Sequence, residues 1–168
     1  TGCQNTAIGV VSLRRNTTGC RNTASGYYGL YTNTSGSFNT ASGYGALKSN
    51  TTASYNTAYG SCALYANTTG AENDAFGYQA LKYNTCGNYN AAFGNIALRD
   101  NTTGIKNAAY SYGTLFQNTT GSLNTALGHQ ALRSNTTASY NTAVGSCALY
   151  SNTTGRNTAV GRNALVAN

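Results

Sequence analysis

The chain has 168 residues, with ten Lys and Arg against three Asp and Glu, a formal charge of +7 and only 8% charged residues, where an ordinary globular chain carries about 25%. It holds 20 Gly and 14 Tyr and no Pro, Met or Trp. Asn, Thr, Ser and Tyr are left to solvate the surface, which is not the composition of an ordinary soluble enzyme, and no run of about 18 apolar residues offers a membrane-spanning helix. With no apolar N-terminal stretch to read as a signal peptide, and with Thr1 in place of an initiating Met, the chain is expected to be a processed product or a window on something longer.

The chain divides into ten rows that each end on Asn, eight of 17 residues and one of 16 at either end. In chain order the first row is residues 1–16, the second 17–33, and so on to 153–168. Four columns are identical in all ten rows. They are the row-ending Asn (Asn16, Asn33, Asn50, Asn67 and onward to Asn168), a mid-row Asn (Asn5, Asn22, Asn39, Asn56 to Asn157), an Ala two places later, and a Leu (Leu13, Leu30, Leu47, Leu64 to Leu165). Gly follows two residues after the Ala everywhere except at Ser111. Residues 51–70 and 136–155 differ only at Tyr59/Val144 and Ala66/Ser151, so the array grew by duplicating blocks of rows.

A fixed period decides architecture, and 17 residues is too short for a helix pair. Each row carries Gly or Asn-Thr breaks, Thr and Tyr favour strands, and no apolar 3.6-residue pattern persists. The rows therefore predict an all-β fold, a parallel β-solenoid (β-roll or β-helix) of ten coils with 17 residues per coil. Residues 1–168 form a single repeat array, read as a unit of a longer fibre. Each coil is expected to hold two short strands, one around NTAxG and one around xALx, with turns at the Gly and at NTTG. Stacking at about 4.8 Å gives a rod roughly 48 Å long.

Stacked columns become ladders. An Asn repeated on every coil passes its amide hydrogen bond to the next and satisfies turn backbone, so both Asn columns are read as structural. Asn16, Asn50, Asn67 and Asn101 also begin NTT, and Asn33 begins NTS, which leaves glycosylation as the alternative use. The thin Ala and Leu core leaves more to bury. Between the invariant Ala and the Gly stand Ile8, Tyr59, Phe76, Phe93, Tyr110, Leu127, Val144 and Val160, which strand alternation turns outward. Such an apolar strip marks an interface, so lateral association into a homo-oligomer is expected, with a trimer preferred, and end-to-end stacking into a filament is the alternative. A second column of Tyr27, Tyr44, Tyr78 and Tyr112 reads as interface or amphipathic surface.

The motif N-T-A-x-G-x-x-A-L resembles the short repeats in the heads of trimeric autotransporter adhesins. It is more similar still to the NTAxGYxAL and NTTG arrays of phage tail-fibre-like and bacterial surface proteins. The resemblance covers all ten rows and implies a rigid, surface-binding fibre of β-rolls. It carries the framework, for example Asn124, Ala126 and Gly128, and no catalytic residue. The period is 17 where those heads use about 14, and no stalk, neck or anchor segment is recognisable.

The column after the invariant Leu places Arg14, Lys48, Lys82, Arg99 and Arg133 among Tyr31, Tyr65, Phe116 and Tyr150, with Val166 last. Half of the basic residues lie there. The stripe is either a solvated face or a site for glycans and anionic polymers, with nucleic acid the least favoured partner. The Thr after each row-ending Asn forms a ladder like those of ice-binding solenoids, though a second rank is lacking unless it comes from Thr6, Thr23, Thr40 and Thr57. Cys3 and Cys20 share a column on neighbouring coils, close enough to form a disulfide. The lone His129 and the acids Glu72, Asp74 and Asp100 make no catalytic constellation, and no spacing suggests a metal or cofactor. The expectation is an extracellular structural fibre on a cell or virion surface, with adhesion its task. Ice binding and anionic-ligand binding are the alternatives.

Overall fold

The structure, a computed structural model, describes residues 2–167; Thr1 and the last ladder residue Asn168 lie outside the described residues. It is an all-β parallel solenoid. Ten three-residue strands follow one another, β1 (Thr6–Ile8), β2 (Thr23–Ser25), β3 (Thr40–Ser42), β4 (Thr57–Tyr59), β5 (Asp74–Phe76), β6 (Ala91–Phe93), β7 (Ala108–Tyr110), β8 (Thr125–Leu127), β9 (Thr142–Val144) and β10 (Thr158–Val160). They form one parallel sheet in sequence order. The register advances by 17, as in Ala24 to Ala41, and by 16 at the last step, from Ala143 to Ala159.

Among the described residues, only the NTAxG segment of each coil holds a strand. The xALx segment is a run of turns, and Leu13, Leu30, Leu47 and their seven successors all sit near φ +50. The left-handed region costs an L residue about 1–2 kcal/mol, which the roughly 1.5–3 kcal/mol from burying a Leu offsets. This turn aims the Leu inward without a second strand, and Leu30 through Leu149 are fully buried. They pack with the strand Ala column (Ala24, Ala41, Ala58) and the Ala preceding each Leu (Ala46, Ala63, Ala80) in one continuous core.

Nine of the ten described strands close on a Gly, and along the rod the next coil leaves almost no room there for a side chain. Gly60 lies at φ +133, and a Cβ there would stand 2.5 Å from the Gly77 carbonyl oxygen of the next coil. Ser111 nevertheless takes that conformation, at φ +123. In the same coil Thr114 replaces the buried Ala, and its hydroxyl donates to the Ser111 carbonyl at 2.9 Å.

Both Asn columns are buried ladders. In the mid-row ladder, Asn22 Oδ1 accepts from the backbone N–H of Asn39 at 3.0 Å and from its Nδ2 at 3.1 Å. In the row-ending ladder, Asn50 Nδ2 donates to Asn33 Oδ1 at 2.8 Å. Register changes at the tenth coil, where Asn157 keeps its backbone bond to Asn141 Oδ1 at 3.0 Å but turns its amide to Asn152 Oδ1. The sequons at Asn33, Asn50, Asn67 and Asn101 are therefore buried. Asn33, for example, has both amide hydrogens engaged, by Asn16 and by Gly36, and the folded array offers none of these four to a glycosyl donor.

Candidate functional site

The strand column that alternation turns outward is uncovered along one side of the rod. Tyr59 is 60% exposed, and Ile8, Tyr110, Leu127 and Val160 are also exposed, whereas Phe76, Phe93 and Val144 are half-buried by their neighbours. In the middle coils the rings stack into a ridge, with Tyr59 to Phe76 at 6.3 Å, Phe76 to Phe93 at 4.8 Å and Phe93 to Tyr110 at 5.1 Å between centroids. Stacking of this kind holds large side chains in one conformation while leaving an edge free. Beyond the Gly, Tyr27, Tyr44, Tyr78 and Tyr112 are exposed, Tyr27 stacking on Tyr44 at 5.7 Å and Tyr112 on His129 at 5.4 Å.

The stripe after the Leu is knit to itself. Lys48 Nζ donates to Tyr65 OH at 2.8 Å and lies over the rings of Tyr28 and Tyr65, and that hydrogen bond holds its ammonium pKa above the ordinary lysine value. Arg99 is bidentate to Asp100, at 2.7 and 3.1 Å, with its guanidinium 3.9 Å from the Phe116 centroid. Arg133 lies over Phe116 and Tyr150, and Lys82 lies over Tyr83. Tyr31 takes its cation from the next column, Arg15. Among the described residues of this stripe, only Arg14 among the five cations makes no such contact.

The reading of the sequence missed a second mixed column immediately before the mid-row Asn. It runs through Arg21, Phe38, Tyr55, Glu72, Tyr89, Lys106, Leu123, Tyr140 and Arg156, all exposed and all at positive φ. Arg21 lies over Phe38, which stacks on Tyr55 at 4.9 Å, and Lys106 and Arg156 lie over Tyr89 and Tyr140. The signal was available: a residue next to an inward Asn must turn outward, and three of the ten basic residues stand there. Between this column and the strand lies a recess lined by Tyr55, Glu72, Asp74, Tyr89 and Ala91. The one ion pair among the described residues is Arg99 with Asp100, so the carboxylates in the recess have no cation of their own chain.

The Thr ladder directs its hydroxyls along the axis. Thr17 Oγ1 donates to the Thr34 carbonyl at 2.8 Å, and the same bond recurs up the rod. Cys3 and Cys20 meet as thiols, Cys3 Sγ donating to Cys20 Sγ at 2.7 Å. That bond lowers the Cys20 pKa and raises that of Cys3. No group of three or more His, Cys, Asp and Glu gathers among the described residues.

No known family model, curated protein or solved structure matches this chain. The resemblance to adhesin heads and tail fibres therefore rests on the repeat motif, and what is established is the β-solenoid itself with its tandem coils and Asn ladders.

Proposed function

We propose that the chain is the rod of an extracellular fibre, on a cell or virion surface, whose sides associate with one another and adhere to other surfaces. The observation that carries this reading is the stacked aromatic ridge from Tyr59 to Tyr110, exposed at both ends and half-buried at Phe76 and Phe93, on a rigid, ladder-bonded scaffold. A contiguous exposed apolar strip is costly on a free monomer and marks an interaction surface. The Tyr- and Thr-rich surface and the few charges fit an environment in which hydrogen bonding and ring contacts mediate adhesion. End-to-end stacking of rods belongs to the same proposal, because the edge strand of a parallel sheet carries unpaired backbone groups that a further coil can pair. Ice binding has less support, because the row-start Thr hydroxyls are committed to carbonyls along the axis. Binding of glycans or anionic polymers through the knit cation stripe would first have to displace its ring and hydroxyl partners.

Sedimentation velocity from micromolar to millimolar protein, with electron microscopy of the concentrated sample, tests the reading. Self-association growing with concentration into elongated particles is expected. A single monomeric species throughout would overturn it.

A further inference from the structure

We propose that the exposed sheet face pairs with the same face of a second copy, rods antiparallel, about a twofold axis passing through the sixth coil (residues 85–101). The proposal deepens the self-association reading and rests on it. Its starting point is the unbalanced charge of the face. Glu72, exposed on the fifth coil, lies in a recess without a cation of its own chain, and Lys106, exposed on the seventh, is held only against the Tyr89 ring at 5.9 Å. They occupy the same column, one coil to either side of the sixth.

A twofold axis lying in the interface along the strand direction keeps every column opposite itself and reverses the order of coils. Coil five of one chain then meets coil seven of the other. Glu72 faces Lys106 of the second copy, and Lys106 faces its Glu72, so both pairs form at once, as a self-complementary interface requires. The same operation sets Phe76 against Tyr110 and Phe93 against Phe93, while the small Ser42 meets Val144. Large side chains thus meet at the centre. Only at the rim does it bring like charges near, Arg21 and Arg156, where solvent and salt screen them.

Other symmetric arrangements lose this match. Parallel rods related by a twofold axis set each coil against its own level, with Glu72 opposite the ring of Phe76. A threefold bundle also keeps coils level and gathers the Glu72 and Asp74 carboxylates of three chains at one height. Repulsion between like charges at an interface disfavours the wrong arrangement. The area is adequate. Nine overlapping coils at about 4.8 Å and a width of about 18 Å give a face on the order of 800 Å2 per chain, which is the size of a standard stable interface.

Charge exchange tests the proposal. The variants are Glu72→Lys, Lys106→Glu, the double variant, and an equimolar mixture of the two single variants, read by sedimentation equilibrium, with circular dichroism to confirm the fold. Both positions are exposed, and the column already accepts Glu and Lys at positive φ. Wild type is expected to form dimers. Each single variant should dimerise at least tenfold more weakly, while the double variant recovers and the mixture forms heterodimers. Dimers unaffected by the single changes, or a double variant that stays weak, would refute this pairing while leaving self-association standing, as would a wild-type trimer. A wild type that stays monomeric would refute both.

Discussion

Asn22 and Asn33 donate to one acceptor, the carbonyl of Gly36, at 2.8 and 2.9 Å. The two Asn ladders are therefore joined coil after coil until the register changes at the tenth, and the same convergence recurs at Gly87, which receives Asn73 and Asn84 at 2.8 and 2.9 Å. Each amide also reaches the ladder below, Asn73 to Asn56 Oδ1 and Asn84 to Asn67 Oδ1. This arrangement explains why neither Asn column varies along the chain: a change on one coil strands groups on its neighbours.

The two ladders differ in cost. Asn73 Oδ1 accepts the backbone N–H of Asn90 as well as its amide, whereas Asn84 Oδ1 accepts only the Asn101 amide. Each buried group left unsatisfied costs about 1–3 kcal/mol. In urea unfolding, Asn73→Ala should therefore destabilise more than Asn84→Ala. The double variant should lose about 1–2 kcal/mol beyond the sum, because only then does the Gly87 carbonyl lose both donors. Strict additivity would show that the shared acceptor contributes nothing.

The Leu column provides a test of backbone conformation. Leu98 lies at φ +50, where a β-branched residue is strongly disfavoured. Leu98→Ile should cost clearly more than the roughly 1.5 kcal/mol that bounds an ordinary volume-conserving swap, in the same urea assay. A strand at this position would tolerate the Ile, and a small loss would mean the turn is not as described.

Ser111 carries strain that its equivalents avoid. Non-Gly residues held in sparsely populated backbone regions cost on the order of 1–3 kcal/mol. Ser111→Gly should raise stability by about 1 kcal/mol, seen as a higher urea midpoint at unchanged slope. A neutral or destabilising result would place the value of Ser111 in a contact rather than in its backbone.

The terminal thiols should react unequally. The Cys3 thiol donates to Cys20 and lowers its pKa while its own is raised, so the thiolate, the reactive form, resides on Cys20. With iodoacetamide the pH midpoint for Cys20 should lie below that for Cys3, and Cys3→Ala should move it up toward that of an ordinary thiol. Diamide, which removes two hydrogens from a thiol pair, should link Cys3 to Cys20, detected by mass after digestion. Equal reactivity of the two would contradict the hydrogen bond between them.

Most of the fold was legible in the sequence because stacking makes identity visible. A residue that hands a hydrogen bond to its own copy, as Asn22 does to Asn39, must recur in every row, and an Ala or Leu confined to a thin core has no room to vary. The second strand was misread for a related reason. An apolar ALx segment looks like half-buried strand, and nothing in a Leu side chain reports that its backbone lies at positive φ. The outward column from Tyr59 to Tyr110 followed from strand alternation. The column of Arg21, Glu72 and Lys106 escaped notice because its residues vary, and variation is what an outward position with no ladder to maintain permits. The sheet recess formed by Tyr55, Glu72 and Tyr89 needed three coils brought side by side, a relationship across 17-residue steps that no local motif announces.

The central claim, a solenoid rod that assembles into fibres, is tested most directly by X-ray diffraction from oriented, concentrated protein. Rods aligned along the fibre, with strands lying across it and stacked along it, should give a meridional reflection near 4.8 Å. A sample that cannot be oriented and gives only an isotropic ring at that spacing would mean coils that stack within a chain but build no fibre. Absence of the spacing altogether would contradict the solenoid itself.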